Sequence, residues 1–237
     1  MNIFAIMIKV LLIGNGNVAS HLATAFSKTN EIALTHIGSR QLDSLPISDV
    51  SLIAVSDDAV EVVANQITKN QGLVVHTSGS VNLDAIKMKR NGVFYPLQSF
   101  TKGKEIDFTQ VPFCLEASYE SDLILLKKLV ELIHGKSYII SSLQRKKIHL
   151  AAVFANNFTN HMYKLANDIC DQEQIPFEIL HPLILETAKK IETLSPKASQ
   201  TGPAIRKDQK TIEKHLSQLT KAQQELYSLI TKSIQSQ

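Results

Sequence analysis

The sequence predicts an α/β chain in which a parallel sheet, covered on both faces, occupies residues 1–142 and an all-helical domain occupies 143–237. Short β-branched runs alternate with amphipathic stretches from Ile8 to about Ser141, the pattern of strand-helix-strand units. The runs are continuously apolar and do not alternate with period two, as strands buried on both faces require. After Ser142 such runs stop and the chain reads as helix. Its 237 residues and 44% hydrophobic content suffice for one large or two small packed domains.

The stretch from Ile3 to Ile13 is apolar except for Lys9 and contains the first strand, Ile8–Ile13. It lacks the basic start and small-residue cleavage site of a leader and is too short to span a bilayer. A helix over Val18–Lys28 and strands over Ile32–Ile37 and Ser51–Val55 follow. Between Ala59 and Lys69 the residues Ala59, Val62, Val63, Gln66 and Ile67 recur at helical spacing, with Asp57 or Asp58 expected to cap the first turn. Strands are expected at Leu73–His76, Val93–Tyr95 and Val111–Leu115, a helix at Asp122–Ile133 and a last strand at Tyr138–Ile140. The helical part divides into Leu143–Asp171, Phe177–Leu194 and Asp208–Ser236 at the breakers Pro176, Ser195-Pro196 and Thr201-Gly202-Pro203. The last helix carries Ile212, Leu216, Leu219, Gln223, Leu226 and Ile230 at spacings of four and three, a packing seam within the chain or between subunits.

Charge and cysteine usage exclude several classes of function. The 25 basic and 22 acidic side chains leave a net charge of +3, and the densest basic run, Arg145-Lys146-Lys147, is too short to advertise nucleic acid. Cys114 and Cys170 are far apart, with no C-x-x-C spacing, so neither a disulfide framework nor a thiolate metal site is expected. A reducing cytoplasm fits best.

The residues Gly14-Asn15-Gly16-Asn17-Val18-Ala19 match G-x-G-x-x-A directly after a strand and directly before a helix, the context of a Rossmann dinucleotide-binding loop. Gly14 makes the tight turn, Gly16 lets the backbone approach a pyrophosphate, and Ala19 allows close helix-strand packing. Asn15, Asn17 and Val18 then offer the helix N-terminus to the phosphates. The second strand ends near Ile37 without the acidic residue that would hold a ribose 2′-hydroxyl. Gly38-Ser39-Arg40 stands there instead, and Ser39 with Arg40 suits a 2′-phosphate, so NADP (NADPH) is expected over NAD. A solvated loop charge is the alternative for Arg40.

Ligands of such a sheet sit outside the carboxyl ends of its strands. Ser56, His76 and Ser78 lie at those ends and are read as cofactor-facing, although Ser56-Asp57-Asp58 can also serve only to start a helix. No G-x-S-x-G elbow marks a hydrolase. Tyr95-Pro96-Leu97-Gln98-Ser99-Phe100 is suited to covering a nicotinamide or substrate, with Gln98 the substrate-facing amide, and a core-packing strand end is the alternative. From His149 to Tyr163 there is no Asp, Glu, Lys or Arg, and at 100° per residue His149, Val153, Asn156, Asn160 and Tyr163 share one polar, uncharged face. His149 and Asn156, two turns apart, can supply a proton and hold a substrate oxygen. A hydrogen-bonded His and Asn in a dimer core is the alternative. Asn160 and Arg206 complete the expected substrate contacts, Arg206 as a clamp for an acidic group, while Asp208 is an N-cap.

The glycine loop, His76-Thr77-Ser78-Gly79, Phe94-Tyr95-Pro96-Leu97-Gln98-Ser99-Phe100, Asn156-Asn157-Phe158 and Thr201-Gly202-Pro203 together resemble a bacterial family. Its members pair a Rossmann domain with a C-terminal helical domain of unassigned function and are labelled NADP oxidoreductases. They are similar to pyrroline-5-carboxylate reductases and 6-phosphogluconate dehydrogenases, as well as deazaflavin-dependent NADP oxidoreductases. The resemblance covers essentially the whole chain. It implies a 6-phosphogluconate-dehydrogenase-like helical domain that mediates a homodimer, and a small-molecule substrate bound in the cleft between the domains. Two departures bear on the reaction. The β-hydroxyacid dehydrogenases carry a Lys four residues before an Asn on this helix, whereas Ala152, Val153 and Asn156 precede Asn156, Asn157 and Asn160 by four. Thr201-Gly202-Pro203 is only a partial echo of the hydroxyl run of pyrroline-5-carboxylate reductases. The expected function is hydride transfer between NADP and a small carbonyl, imine or hydroxy compound, with no metal. The alternative is a catalytically silent NADP-binding sensor, and a deazaflavin-linked enzyme is a third option.

Overall fold

The computed structural model of the chain describes residues 7–67 and 72–237. The expected start of the apolar stretch at Ile3 and the expected helix end at Lys69 lie outside the described residues.

The first compact unit runs to Thr159 and holds a seven-stranded sheet. Its strands are β1 (Ile8–Ile13), β2 (Ile32–Ile37), β3 (Val50–Ile53), β4 (Leu73–His76), β5 (Asn91–Pro96), β6 (Pro112–Ala117) and β7 (Lys136–Ile139). The spatial order is β2-β1-β3-β4-β5-β6-β7, parallel throughout except for the antiparallel pair β5 and β6. From β1 the chain moves outward to β2 and then crosses back to β3, so the strand order reverses between β1 and β3 and the ends of those strands open a crevice. This is the Rossmann-like α/β fold with a helical C-terminal part. β7 begins at Lys136, ahead of the expected Tyr138, because Lys136 already pairs with Pro112.

Successive side chains of a strand enter different cores, which explains the unbroken apolar runs. Val10 and Leu12 pack with Leu22 and Phe26 of α1 (Asn17–Phe26) on one face. Leu11 and Ile13 pack with Val63 and Ala64 of α2 (Val60–Gln66) on the other. Phe94 anchors the first core, its ring 4.9 Å from that of Phe113 and 6.3 Å from that of Phe26. Truncating such a ring to alanine costs about 3–5 kcal/mol. α3 (Glu120–Leu132) closes this face with Leu126, Leu129 and Val130.

Several helical expectations are corrected. Neither Asp57 nor Asp58 caps α2. A short 3-10 turn, Asp57–Ala59, leads into the helix, and the Asp57 carboxylate instead accepts from the Ser80 hydroxyl. The expected helix Leu143–Asp171 is interrupted. α4 (Ser142–Ala152), started by a Ser141–Gln144 capping box, passes into a π-helical turn, Val153–Phe158, before α5 (Thr159–Gln172). There the Thr159 hydroxyl donates to the Phe154 carbonyl, five residues back, at 3.2 Å. The π-turn breaks the uniform helical spacing that would align His149 with Asn156. Strands cease before 142, but α4 stays with the sheet unit, and the two compact units part between Thr159 and Asn160.

The second unit, Asn160–Gln237, contains most of α5, then α6 (His181–Lys190), α7 (Gln209–Leu216) and α8 (Lys221–Gln235). The expected helix Phe177–Leu194 is shorter, because Phe177–Leu180 forms a 3-10 turn and the chain leaves α6 after Lys190. Asp208 caps α7, accepting from the Thr211 N–H at 3.1 Å. Asp208–Ser236 is two helices and not one. α7 stops at Leu216, and a Thr220–Gln223 capping box starts α8. The seam is therefore divided: Ile212 and Leu216 lie on α7, Leu219 in the link, and Gln223, Leu226 and Ile230 on α8. His215 Nδ1, 3.0 Å from the Tyr227 hydroxyl, joins the two helices. Among the described residues no helix is long and apolar enough to cross a membrane.

Candidate active site

The loop from β1 into α1 is shaped by two glycines with different duties. Gly14 sits at φ +135°, and a Cβ there would lie 2.0 Å from the Ala54 carbonyl oxygen, so only glycine lets β1 and β3 end side by side. Its N–H donates to the Ile37 carbonyl at 2.9 Å, and its own carbonyl lies 2.7 Å from His36 Nε2, which fixes the turn on β2. A Cβ on Gly16 would meet nothing within 4 Å. Gly16 is the N-cap of α1 and offers no side-chain cap, so the N–H groups of Asn17, Val18 and Ala19 lack intrahelical partners. Open space thus stands over an uncapped, electropositive helix end.

This helix end forms one wall of a cleft of about 620 Å³ at the carboxyl ends of the strands. Asn15, Gly16, Asn17 and Val18 contribute from the first loop, Ser56 and Asp57 from the end of β3, and Ser78 and Gly79 from the end of β4. Gln98 and Phe100 close it beyond β5. The Asn17 side chain donates to the Phe100 carbonyl at 2.9 Å, tying that segment to α1. A second hollow of about 400 Å³, lined by Asn15, Gly38, Ser39, Arg40 and Gln41, contains no carboxylate. Asn15 and Ser39 line both spaces. The residues present fit a dinucleotide: unpaired N–H groups and open room for the phosphates, beside a hollow that holds a guanidinium and a hydroxyl.

His76 does not line the cleft. It is fully buried beneath it, and Nδ1 accepts from the Ser78 N–H at 3.2 Å. Burial, reinforced by the nearby Arg145 charge, lowers its pKa to about 4, so it is a neutral core histidine. Ser78 borders the cleft, but its hydroxyl accepts from the Ser80 and Val81 N–H groups, each at 3.1 Å, and so holds the turn. Gln98 Oε1 accepts from the Ser99 N–H at 2.7 Å.

Arg145, in sequence only part of a basic run, is the largest fully buried side chain among the described residues. From α4 its Nη1 donates to the carbonyls of Ser78 (3.1 Å), Gly79 (3.2 Å) and Val81 (2.7 Å). Nη2 donates to Ser142 Oγ at 3.0 Å and faces Glu116 Oε2 at 3.4 Å. One turn on, His149 Nδ1 lies 3.2 Å from the Tyr95 hydroxyl. Both rings press on Gly79, where a Cβ would lie 2.7 Å from His149 Nδ1 and 2.8 Å from Tyr95 Cζ. Burial pushes the Tyr95 phenol up to about 12, so it holds its proton at neutral pH. The spacing of Arg145 and His149, four apart on one helix face, was the available signal for this arrangement.

The other expected residues are placed as follows. Asn156 lies exposed in the π-turn and makes no side-chain hydrogen bond among the described residues. Phe154 and Phe158 of the same turn stand exposed and meet edge to face, centroids 5.0 Å apart. Asn160 and Arg206 belong to the second unit, and both are exposed. No group of three or more His, Cys, Asp or Glu side chains among the described residues is arranged to hold a metal ion.

The family described as Domain of unknown function (DUF2520) matches residues 111–234. Among solved structures, one described as a putative NADP oxidoreductase from Bacteroides fragilis is 36% identical, covering 98% of this chain and 99% of that one with a TM-score of 0.85. The chain belongs to this DUF2520 family. A Thermotoga maritima protein of 24% identity shares the fold over 96% of this chain and 97% of its own, with a TM-score of 0.74. A 1-pyrroline-5-carboxylate reductase from Streptococcus pyogenes, 14% identical, does so over 98% and 99%, with a TM-score of 0.64. No curated protein matches the sequence.

Proposed function

We propose that this DUF2520 protein is an NADP-dependent oxidoreductase that moves a hydride to or from a small carbonyl, imine or hydroxy compound. The observation that carries this is the uncapped end of α1 under the open space at Gly16, beside the carboxylate-free hollow at Ser39 and Arg40. Gly14 shapes the turn, the backbone of Asn15, Gly16, Asn17 and Val18 meets the phosphates, and Ser39 with Arg40 takes the 2′-phosphate. Ser56 and Ser78 border the same cleft, and His76 supports it from below. The 36% identical relative named for NADP oxidoreduction supports the same reading.

When bound, the nicotinamide supplies or takes the hydride, which leaves the chain to orient the substrate and manage one proton. His149 handles the proton, and Asn156 holds the substrate oxygen. Gln98, which lines the cleft, makes a further substrate contact. The chain acts as a cytoplasmic homodimer built by its helical part, where Leu183, Leu185, Leu229 and Ile230 leave apolar surface exposed in the single chain. A monomer in sedimentation at micromolar concentration contradicts the dimer.

The test is a panel of small keto acids, imines and hydroxy acids against NADPH oxidation and NADP reduction. Nicotinamide fluorescence reports cofactor binding, and the absence of tryptophan keeps the signal clean. Arg40→Ala is expected to lower the preference for NADPH over NADH by roughly tenfold or more, the value of one charge-assisted phosphate contact. His149→Ala is expected to reduce turnover by roughly 10² or more with NADPH affinity intact. Binding of NADPH with no turnover across the panel would favour the silent sensor.

A further inference from the structure

We propose that Tyr95 is the residue through which the protein exchanges its proton with the substrate, and that His149 stands behind it to refill or drain the phenol. This rests on the oxidoreductase reading and adds the atom that delivers the proton. The inference comes from three neighbours within the sheet unit. The Tyr95 hydroxyl lies 3.2 Å from His149 Nδ1, and this is its one hydrogen-bond partner among the described residues. A phenol has one donor and two acceptor sites, so this contact leaves the oxygen free to serve a second partner. Gly79, which borders the cleft, packs directly on the pair: a Cβ there would lie 2.9 Å from the Tyr95 oxygen and 2.7 Å from His149 Nδ1. A side chain at Gly79 would collide with both rings, so glycine lets Tyr95 and His149 lie directly against a residue of the cleft lining.

Arg145 makes this geometry rigid. It sits one turn before His149 on α4, and its guanidinium binds the carbonyls of Ser78, Gly79 and Val81. The helix that carries His149 and the loop that carries Gly79 are therefore tied together beside Tyr95. Burial keeps the phenol protonated at neutral pH, which makes it a donor in the reductive direction.

With a reduced nicotinamide as reductant, hydride adds to the substrate carbon and the π pair of the C=O or C=N bond moves to the heteroatom. That heteroatom takes the proton as the Tyr95 O–H bond breaks. The phenolate recovers a proton from His149 Nδ1 as Nε2 takes one from solvent, and oxidation runs the same path backwards. A neutral imidazole carries one ring proton and passes it in this way without becoming an anion.

The experiment uses the full chain and has two readouts. The first is the ¹⁵N ring spectrum of the cofactor-free protein, with His149 assigned by its loss in His149→Gln. Tyr95→Phe is expected to move the His149 Nδ1 resonance, and Gly79→Ala to move it as well. An Nδ1 signal unchanged in Tyr95→Phe overturns the pairing, whatever the enzyme does. The second is turnover: Tyr95→Phe should bind NADPH as the wild type does and lose roughly 10² or more in kcat. Near-wild-type kcat in Tyr95→Phe, on a substrate the wild type turns over, overturns the proton role while the oxidoreductase reading stands. No turnover by the wild type on any panel member overturns both.

Discussion

Acidification should unfold this protein in part through one buried histidine. His76 is fully inaccessible, and burial together with the Arg145 charge holds its pKa at about 4 against 6.5 for a free imidazole. The Asn82 backbone and Asp57 oppose the shift without cancelling it. Because the folded-state value is the lower one, the unfolded chain binds a proton first as pH falls. The folded protein thus keeps its full stability above about pH 6.5 and loses it progressively down to about pH 4. That interval is worth about 3 kcal/mol, with a slope approaching 1.4 kcal/mol per pH unit. The assay is urea unfolding at pH values of about 7, 6, 5 and 4 for the wild type and for His76→Asn, whose amide oxygen can still accept from the Ser78 N–H. The difference between the two proteins isolates His76 from every other titrating group, including Asp107 and Asp208, which hydrogen bonds to Thr109 and Thr211 hold below the ordinary carboxylate range. The gap should shift by about 3 kcal/mol between the ends of the series, with the variant gaining on the wild type as pH falls. Parallel curves would refute the claim that His76 is held neutral.

The two glycines of the first loop should separate folding from binding. Gly14→Ala places a Cβ against the Ala54 carbonyl at a positive φ and is expected to lower the melting temperature and to abolish NADPH fluorescence enhancement together. Gly16→Ala meets open space, so its stability should stay within about 0.5 kcal/mol of wild type while NADPH affinity falls; equal affinity would show that the phosphates do not approach there. Arg145→Met strands three carbonyls and leaves the mostly buried Glu116 without its guanidinium, at a cost of about 3–5 kcal/mol in urea unfolding, and a loss below about 1 kcal/mol would mean that α4 is held by other contacts.

The cleft at the strand ends was legible from sequence because each of its cues is local. Gly14 and Gly16 announce a turn between a β-branched run and an amphipathic stretch, and Ser39-Arg40 follows the end of β2 within a few residues. The chemistry beside it was not legible, because no local pattern marks a buried cation. Arg145 stands next to Lys146 and Lys147, which are exposed, and composition assigns all three to solvent. Its burial depends on carbonyls of Ser78, Gly79 and Val81 converging from more than sixty residues away in the chain, each at hydrogen-bond distance. The helical errors have a similar origin. Periodicity runs smoothly through Val153–Phe158 and through Ser217–Thr220, while the breaks are set by hydroxyls, Thr159 reaching back to the Phe154 carbonyl and Thr220 pairing with Gln223. A hydroxyl that competes for backbone leaves no gap in a hydrophobic pattern.

The buried guanidinium also bears on how the site divides its labour. One charge fixes the Gly79 loop, helps keep His76 neutral and draws the Tyr95 phenol slightly back from the high value that burial imposes. The first effect is geometric and the other two are electrostatic, so substitutions at Arg145 can separate them. Lysine retains the charge but, as a point ammonium with no planar fork, cannot span three carbonyls and Ser142 at once. Arg145→Lys should therefore leave the acid sensitivity of His76 near wild type while the His149 Nδ1 resonance moves, because α4 loses its register on the loop. Should both change together, charge and geometry would act as one, and the placement of His149 on Tyr95 would depend on the field of the guanidinium as much as on its hydrogen bonds.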